Sequence, residues 1–191
     1  RRIGAVAGVV GGRLVVAGGI APDVGRLTSV EAYTPTGWTP LPPLPHAADD
    51  ATACVLNGRL YVMGGRNCDK LQVLEMSEEN GFSWTVKADL PAARWSAGVA
   101  VFEGKLWLIG GAVNSHPSSS VAIYDIDADS WGPGPALPRA LPRPCATTLN
   151  GEVHVISREQ SLIYRNAAWV DAPADHATRS GCGVVQSIIL G

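Results

Sequence analysis

Residues 97–111 read AGVAVFEGKLWLIGG, and the same pattern stands 46 positions earlier at 51–65 (ATACVLNGRLYVMGG) and again at 5–19 (AVAGVVGGRLVVAGG). Each stretch opens with small and β-branched residues and breaks at a turn glycine: Gly12, Gly58 or Gly104. It then resumes as an apolar run ending in Gly-Gly. Two apolar runs split by Asn-Gly or a similar pair predict a β-hairpin, because the turn needs residues that tolerate positive φ. A weaker copy follows, with Gly151 as its turn glycine and Ser157-Arg158 in place of Gly-Gly.

The markers on either side keep the same phase. Trp38, Trp84 and Trp131 are spaced by 46 and 47 residues, and Trp169 closes a shorter fourth unit. Seven residues after each of the first three tryptophans comes the proline of a Leu-Pro pair: Pro45, Pro91 and Pro138. A third apolar run (Val30 to Tyr33, Val121 to Tyr124, Leu162 to Tyr164) precedes a turn, and the tryptophan opens a fourth. Four strands of about six residues and four connections of about five account for the period. The expected units are 1–45, 46–91, 92–138 and 139–173, with 174–191 as the first strand of another.

Composition agrees with many short strands. The chain has 191 residues, with 22 glycines and 14 prolines, a share well above the usual roughly 12%. Its formal charge of −2 argues against nucleic-acid or anionic-membrane partners, which normally select a basic excess. The apolar stretch from Ile3 to Ile20 carries Arg13 and is punctuated by glycines, so it is expected to be neither a signal peptide nor a membrane span. Cys54, Cys68, Cys145 and Cys182 form no CxxC pair, which points away from a zinc site and toward a reducing, cytoplasmic or nuclear, compartment.

These residues resemble kelch repeats, whose pattern is a turn glycine, an apolar strand, Gly-Gly, and a tyrosine and tryptophan at set distances. The resemblance spans almost the whole chain. It implies an all-β propeller of four-stranded antiparallel blades. In such a fold Trp38, Trp84 and Trp131 are expected to be largely buried between blades. Cys54, Cys145 and Cys182 read as small buried apolar residues, His154 as a packing histidine, and Cys68 as an exposed loop residue. Four repeats and one strand fall short of the five to seven blades of kelch propellers. The count therefore favours the C-terminal part of a longer propeller, with self-association through open blade edges.

Function is expected on the face carrying the second-to-third-strand loops and the inter-blade segments, since loops on a rigid scaffold do the recognising. The candidate partner-binding residues are Arg66, Arg94, Arg143 and Arg179 with Trp95, Asn67 and His116. Arg26, Lys70, Arg139 and Arg158 lie in the same loops. Arginines there suit carboxylates through bidentate bonds. The resemblance implies a non-catalytic protein-binding module, as in the substrate-recognition part of an F-box or BTB ubiquitin ligase adaptor. The alternative is a kelch-fold enzyme acting on a carbohydrate, of mutarotase or oxidase type. No catalytic residue, metal ligand or cofactor is assigned: the four histidines lack paired spacing, and all four tyrosines sit at repeat positions.

Overall fold

The structure is a computed structural model that describes residues 1–158 and 160–173. Among these, the regular elements are all β-strands. Four antiparallel four-stranded sheets follow one another, each with its strands in chain order. The first holds Val6–Val10, Arg13–Ala17, Val30–Thr34 and Gly37–Leu41. The second holds Thr52–Leu56, Arg59–Met63, Leu71–Ser77 and Gly81–Lys87. The third is built from Gly98–Phe102, Lys105–Ile109, Val121–Asp125 and Ser130–Pro133. Cys145–Leu149, Glu152–Ile156, Ser161–Arg165 and Ala168–Asp171 form the fourth. The strand expected over 174–191, with Cys182 and Arg179, falls outside the described residues.

The chain divides into two compact units, Arg1–Trp95 and Ser96–Gly191. In the first, Val10, Val15, Ala17, Val30 and Ala32 of one sheet pack on Leu60, Val62 and Leu74 of the next. Gly8 permits the approach, because a Cβ there would stand 2.6 Å from Leu60 Cδ1 and 2.7 Å from Val55 Cγ2. In the second, Ala100, Trp107, Ile109 and Val121 pack on Ala146, Val153, Val155 and Leu162. Alternation along each strand supplies these faces, since side chains of a strand point to opposite sides in turn.

The repeated markers hold the backbone at one end of each sheet. The second glycine of each Gly-Gly donates its N–H to a carbonyl of the segment leading to the next sheet: Gly19 to Ala48 (2.7 Å), Gly65 to Arg94 (2.8 Å) and Gly111 to Leu141 (3.1 Å). The first glycine lies against that same carbonyl, and at Gly64 a Cβ would come within 2.3 Å of the Arg94 oxygen. The Leu-Pro leucines are fixed alike, with Leu44, Leu90 and Leu137 donating to Thr28, Asp69 and Ser119. Ser157, in the fourth copy, donates its N–H to the Gln160 carbonyl just ahead of the third strand, as Gly18, Gly64 and Gly110 do to Ser29, Lys70 and Ser120.

The tryptophans differ from expectation. Trp38 is 50% exposed, and Trp84 and Trp131 are only half-buried. The reason is their place on the outermost strand, where the ring packs on a cross-strand residue, Leu74 for Trp84 and a tyrosine for the others. Tyr33–Trp38, Tyr124–Trp131 and Tyr164–Trp169 have centroids 5.4, 5.1 and 5.1 Å apart. Within each unit the second sheet's indole also reaches the proline segment of the sheet before it: Trp84 Nε1 donates to the Pro42 carbonyl at 2.9 Å, and Trp169 Nε1 to that of Pro135 at 2.8 Å. Trp38 has no such acceptor among the described residues. Cys68 also departs from expectation: it is buried, not exposed, and burial raises its thiol pKa.

Candidate functional site

At the Gly-Gly end of the first unit, three connections converge. A short hairpin, Ile20–Ala21 with Gly25–Arg26, carries Arg26. The segment between the first two sheets carries Asp49 and Asp50, and Arg66 follows directly on Gly64-Gly65. Backbone bonds fix their meeting: Arg66 donates its N–H to the Asp49 carbonyl at 3.0 Å, and Asp50 donates its own to the Gly4 carbonyl at 3.0 Å. Side chains complete the cluster. Arg66 grips Asp50 Oδ2 through Nε and Nη2, each at 2.9 Å, and its guanidinium carbon stands 5.5 Å from the centre of the Trp95 ring. Arg26 Nη1 donates to the Arg66 carbonyl at 2.7 Å.

Asp49 is the unusual member. Its side chain is 5% exposed, and its Oδ1 is buried without a hydrogen-bond donor. Arg26 Nε stands 3.7 Å from Oδ1 and Arg66 Nε 3.7 Å from Oδ2, close enough for attraction and too far for a hydrogen bond. Burial raises its carboxyl above the usual range; Arg26 and Arg66 oppose the shift, and Asp50 adds to it. The arginines are the solvent-facing part, at 41% and 46% exposure. Arg26 keeps Nη2, and Arg66 keeps Nη1, without a partner among the described residues.

The seven partner-binding candidates separate clearly. Arg66 and Trp95 meet in this cluster, and exposed Asn67 occupies the turn beside them with φ of 53°. Arg94 does not reach the surface as expected. It is 6% exposed and its guanidinium pKa is lowered by burial, because its position in the repeat supplies the carbonyl that receives Gly65. Exposed His116 and Arg143 belong to the second unit; His116 Nδ1 contacts the Asn114 carbonyl at 2.7 Å. Arg143 (φ 49°) occupies the left-handed position that Asp50 (51°) and Ser96 (49°) hold in their repeats. Arg179 falls outside the described residues.

Sequence reasoning passed over Asp49 and Asp50. The signal was available: at the 46- and 47-residue step, Asp49 stands where the other repeats place Ile3, Trp95 and Pro142. Among the described residues, no three His, Cys, Asp or Glu side chains gather as a metal site. Cys54 is sealed in the second sheet, its pKa pushed up to about 12 by burial, so it supplies no thiolate.

Meander sheets, an internal period and Gly-Gly ends docked on the following segment define a repeat propeller. The kelch motif matches residues 1–45 and 94–138, which supports a kelch-repeat family for this all-β chain of four-stranded blades. A solved structure titled "Structure of YjhT" superposes with a TM-score of 0.70 at 12% identity, covering 89% of this chain and 68% of that one. At that identity the likeness speaks to fold alone. No curated protein sequence matches the chain.

Proposed function

We propose that this chain is a non-catalytic protein-binding module whose Arg26–Arg66–Trp95 surface grips a carboxylate-bearing segment of a partner. The observation that supports this reading is the seating of Arg66. Asp50 and the Trp95 ring hold its guanidinium in place while it stays 46% exposed. A fixed guanidinium loses less side-chain entropy on binding, and arginine and tryptophan are enriched at interface hot spots. In a ubiquitin ligase adaptor, such a surface would select acidic substrate segments. Titrating the chain with a fluorescein-labelled hexaglutamate peptide tests the reading. Arg66→Glu and Arg26→Glu should each weaken binding about tenfold or more, and Asn57→Asp and Asn80→Asp, at the opposite strand ends, should not. Equal loss from both sets rejects the surface.

One observation favours a second reading, a carbohydrate-active enzyme. A buried carboxyl with a raised pKa beside two arginines is the kind of group that serves as a general acid. Turnover of a sugar by the purified chain, abolished by Asp49→Asn, would replace the first reading with this one.

A further inference from the structure

The second unit contains a crevice of about 500 Å³ at the turn ends of its two sheets, away from the Gly-Gly ends. That volume lies within the roughly 300–1,000 Å³ typical of small-molecule sites. Its floor is aromatic. Phe102 stands edge-on to Trp107 and to Tyr164 (centroids 5.3 and 6.3 Å, planes at 88° in both), and Trp107 and Tyr164 lie 5.1 Å apart. The walls carry Glu103, Glu152, Arg165 and Asn166.

The polar groups of this crevice are largely unspent. Trp107 is 5% exposed, yet neither its indole N–H nor the Tyr164 hydroxyl makes a hydrogen bond among the described residues. The Trp107 ring lines the crevice. Glu152 has only loose neighbours, His154 Nε2 at 3.8 Å and Arg165 Nη1 at 4.0 Å. Glu103 makes no hydrogen bond among the described residues. Glu103 is also out of keeping with its turn. It holds φ of 50° where the three corresponding turns place Gly11, Asn57 and Asn150, residue types that tolerate that conformation. A strained residue kept beside a cavity is a reason to look for function there.

Three ligand classes can be weighed against this lining. Two carboxylates repel an anion. A simple cation would satisfy them and leave the indole, phenol, amide and guanidinium donors idle. A neutral polyhydroxylated ring uses both sets at once, since each hydroxyl donates and accepts, and its C–H groups suit the electron-rich faces of aromatic rings. We propose that this crevice binds a neutral saccharide of one or two rings, a site independent of the arginine surface in the first unit.

The test uses the full chain, with tryptophan fluorescence and saturation-transfer NMR against glucose, galactose, N-acetylglucosamine, lactose and maltose. Glucuronate and choline serve as charged comparators. Saturable binding of at least one neutral sugar is expected, weakened about tenfold or more by Glu103→Asn and by Glu152→Gln. Asn suits the left-handed turn, so the first variant removes the carboxylate without endangering the fold; Asn80→Asp, in the other unit, should change nothing. Absence of binding by every neutral sugar overturns the proposal. So does tighter binding of choline or glucuronate, or insensitivity to both glutamate changes.

Discussion

Replacing Gly64 by alanine isolates what the Gly-Gly pair contributes. Gly64 has φ of 67°, and its absent Cβ would stand 2.3 Å from the Arg94 carbonyl oxygen and 3.3 Å from Leu90 Cδ2. Left-handed backbone costs an alanine roughly 1–2 kcal/mol. Moving the Arg94 carbonyl away would also break the bond it accepts from Gly65 N–H at 2.8 Å. A buried donor left unsatisfied costs about 1–3 kcal/mol. Together these place Gly64→Ala at about 2–5 kcal/mol, summed from those two terms. Gly58 is the control, with φ of 71° and nothing within 4 Å of its would-be Cβ. Gly58→Ala should cost only the backbone share, about 1–2 kcal/mol. Urea unfolding followed by tryptophan fluorescence, with m-values compared, measures both. Gly18→Ala should match Gly64→Ala, its Cβ meeting the Ala48 oxygen at 2.3 Å, whereas Gly110→Ala, with 3.0 Å to the Leu141 oxygen, should be milder. If Gly64→Ala and Gly58→Ala prove equally destabilising, the carbonyl contact contributes nothing and the docking argument fails.

Three further outcomes are expected. Trp84→Phe should lose about 1 kcal/mol with the bond to Pro42, while Trp38→Phe, whose indole N–H has no acceptor among the described residues, should stay within about 0.5 kcal/mol of wild type in the same assay. Because Asp49 binds its proton more tightly folded than unfolded, its contribution is full below the unfolded pKa near 3.8 and is lost as pH rises through the raised folded value. The stability of Asp49→Asn relative to wild type should therefore increase across that window; a pH-independent difference would show that desolvation does not dominate there. In a Cys182→Ser background, Cys54 and Cys68 should react with a thiol reagent at pH 8 only after unfolding, and prompt native reaction would contradict their burial.

What could be read from sequence followed from what each residue bonds to. Gly-Gly and Leu-Pro act on backbone that recurs in the first three sheets, and the turn glycines on backbone that recurs in all four, so they recur too, and their step of 46 or 47 residues carried the fold. The depth of the tryptophans was not legible in the same way. A fourth strand pairs on one side only, and how far its indole is covered depends on the preceding proline segment, a partner about 40 residues away in Trp84's case. Arg94 misled for a related reason. Its side chain looked like a loop contact, whereas its backbone position is the one that Ala48 and Leu141 fill elsewhere, and that position is buried.

The residues best placed to act are those that break the repeat. Asp49 breaks it with a carboxylate among Ile3, Trp95 and Pro142; Glu103 breaks it with a glutamate among Gly11, Asn57 and Asn150. Glu103 can be tested for what the break costs. Asparagine visits the left-handed region more readily than glutamate, so Glu103→Asn should raise stability by up to about 1 kcal/mol. If Glu103 served only to turn the chain, that gain would come without loss of function. A glutamate kept for a ligand predicts the opposite pairing, with urea midpoint rising and saccharide binding falling in one variant. A Glu103→Asn chain less stable than wild type would show that Glu103 supports its turn through contacts of its own, and the argument from strain would be withdrawn.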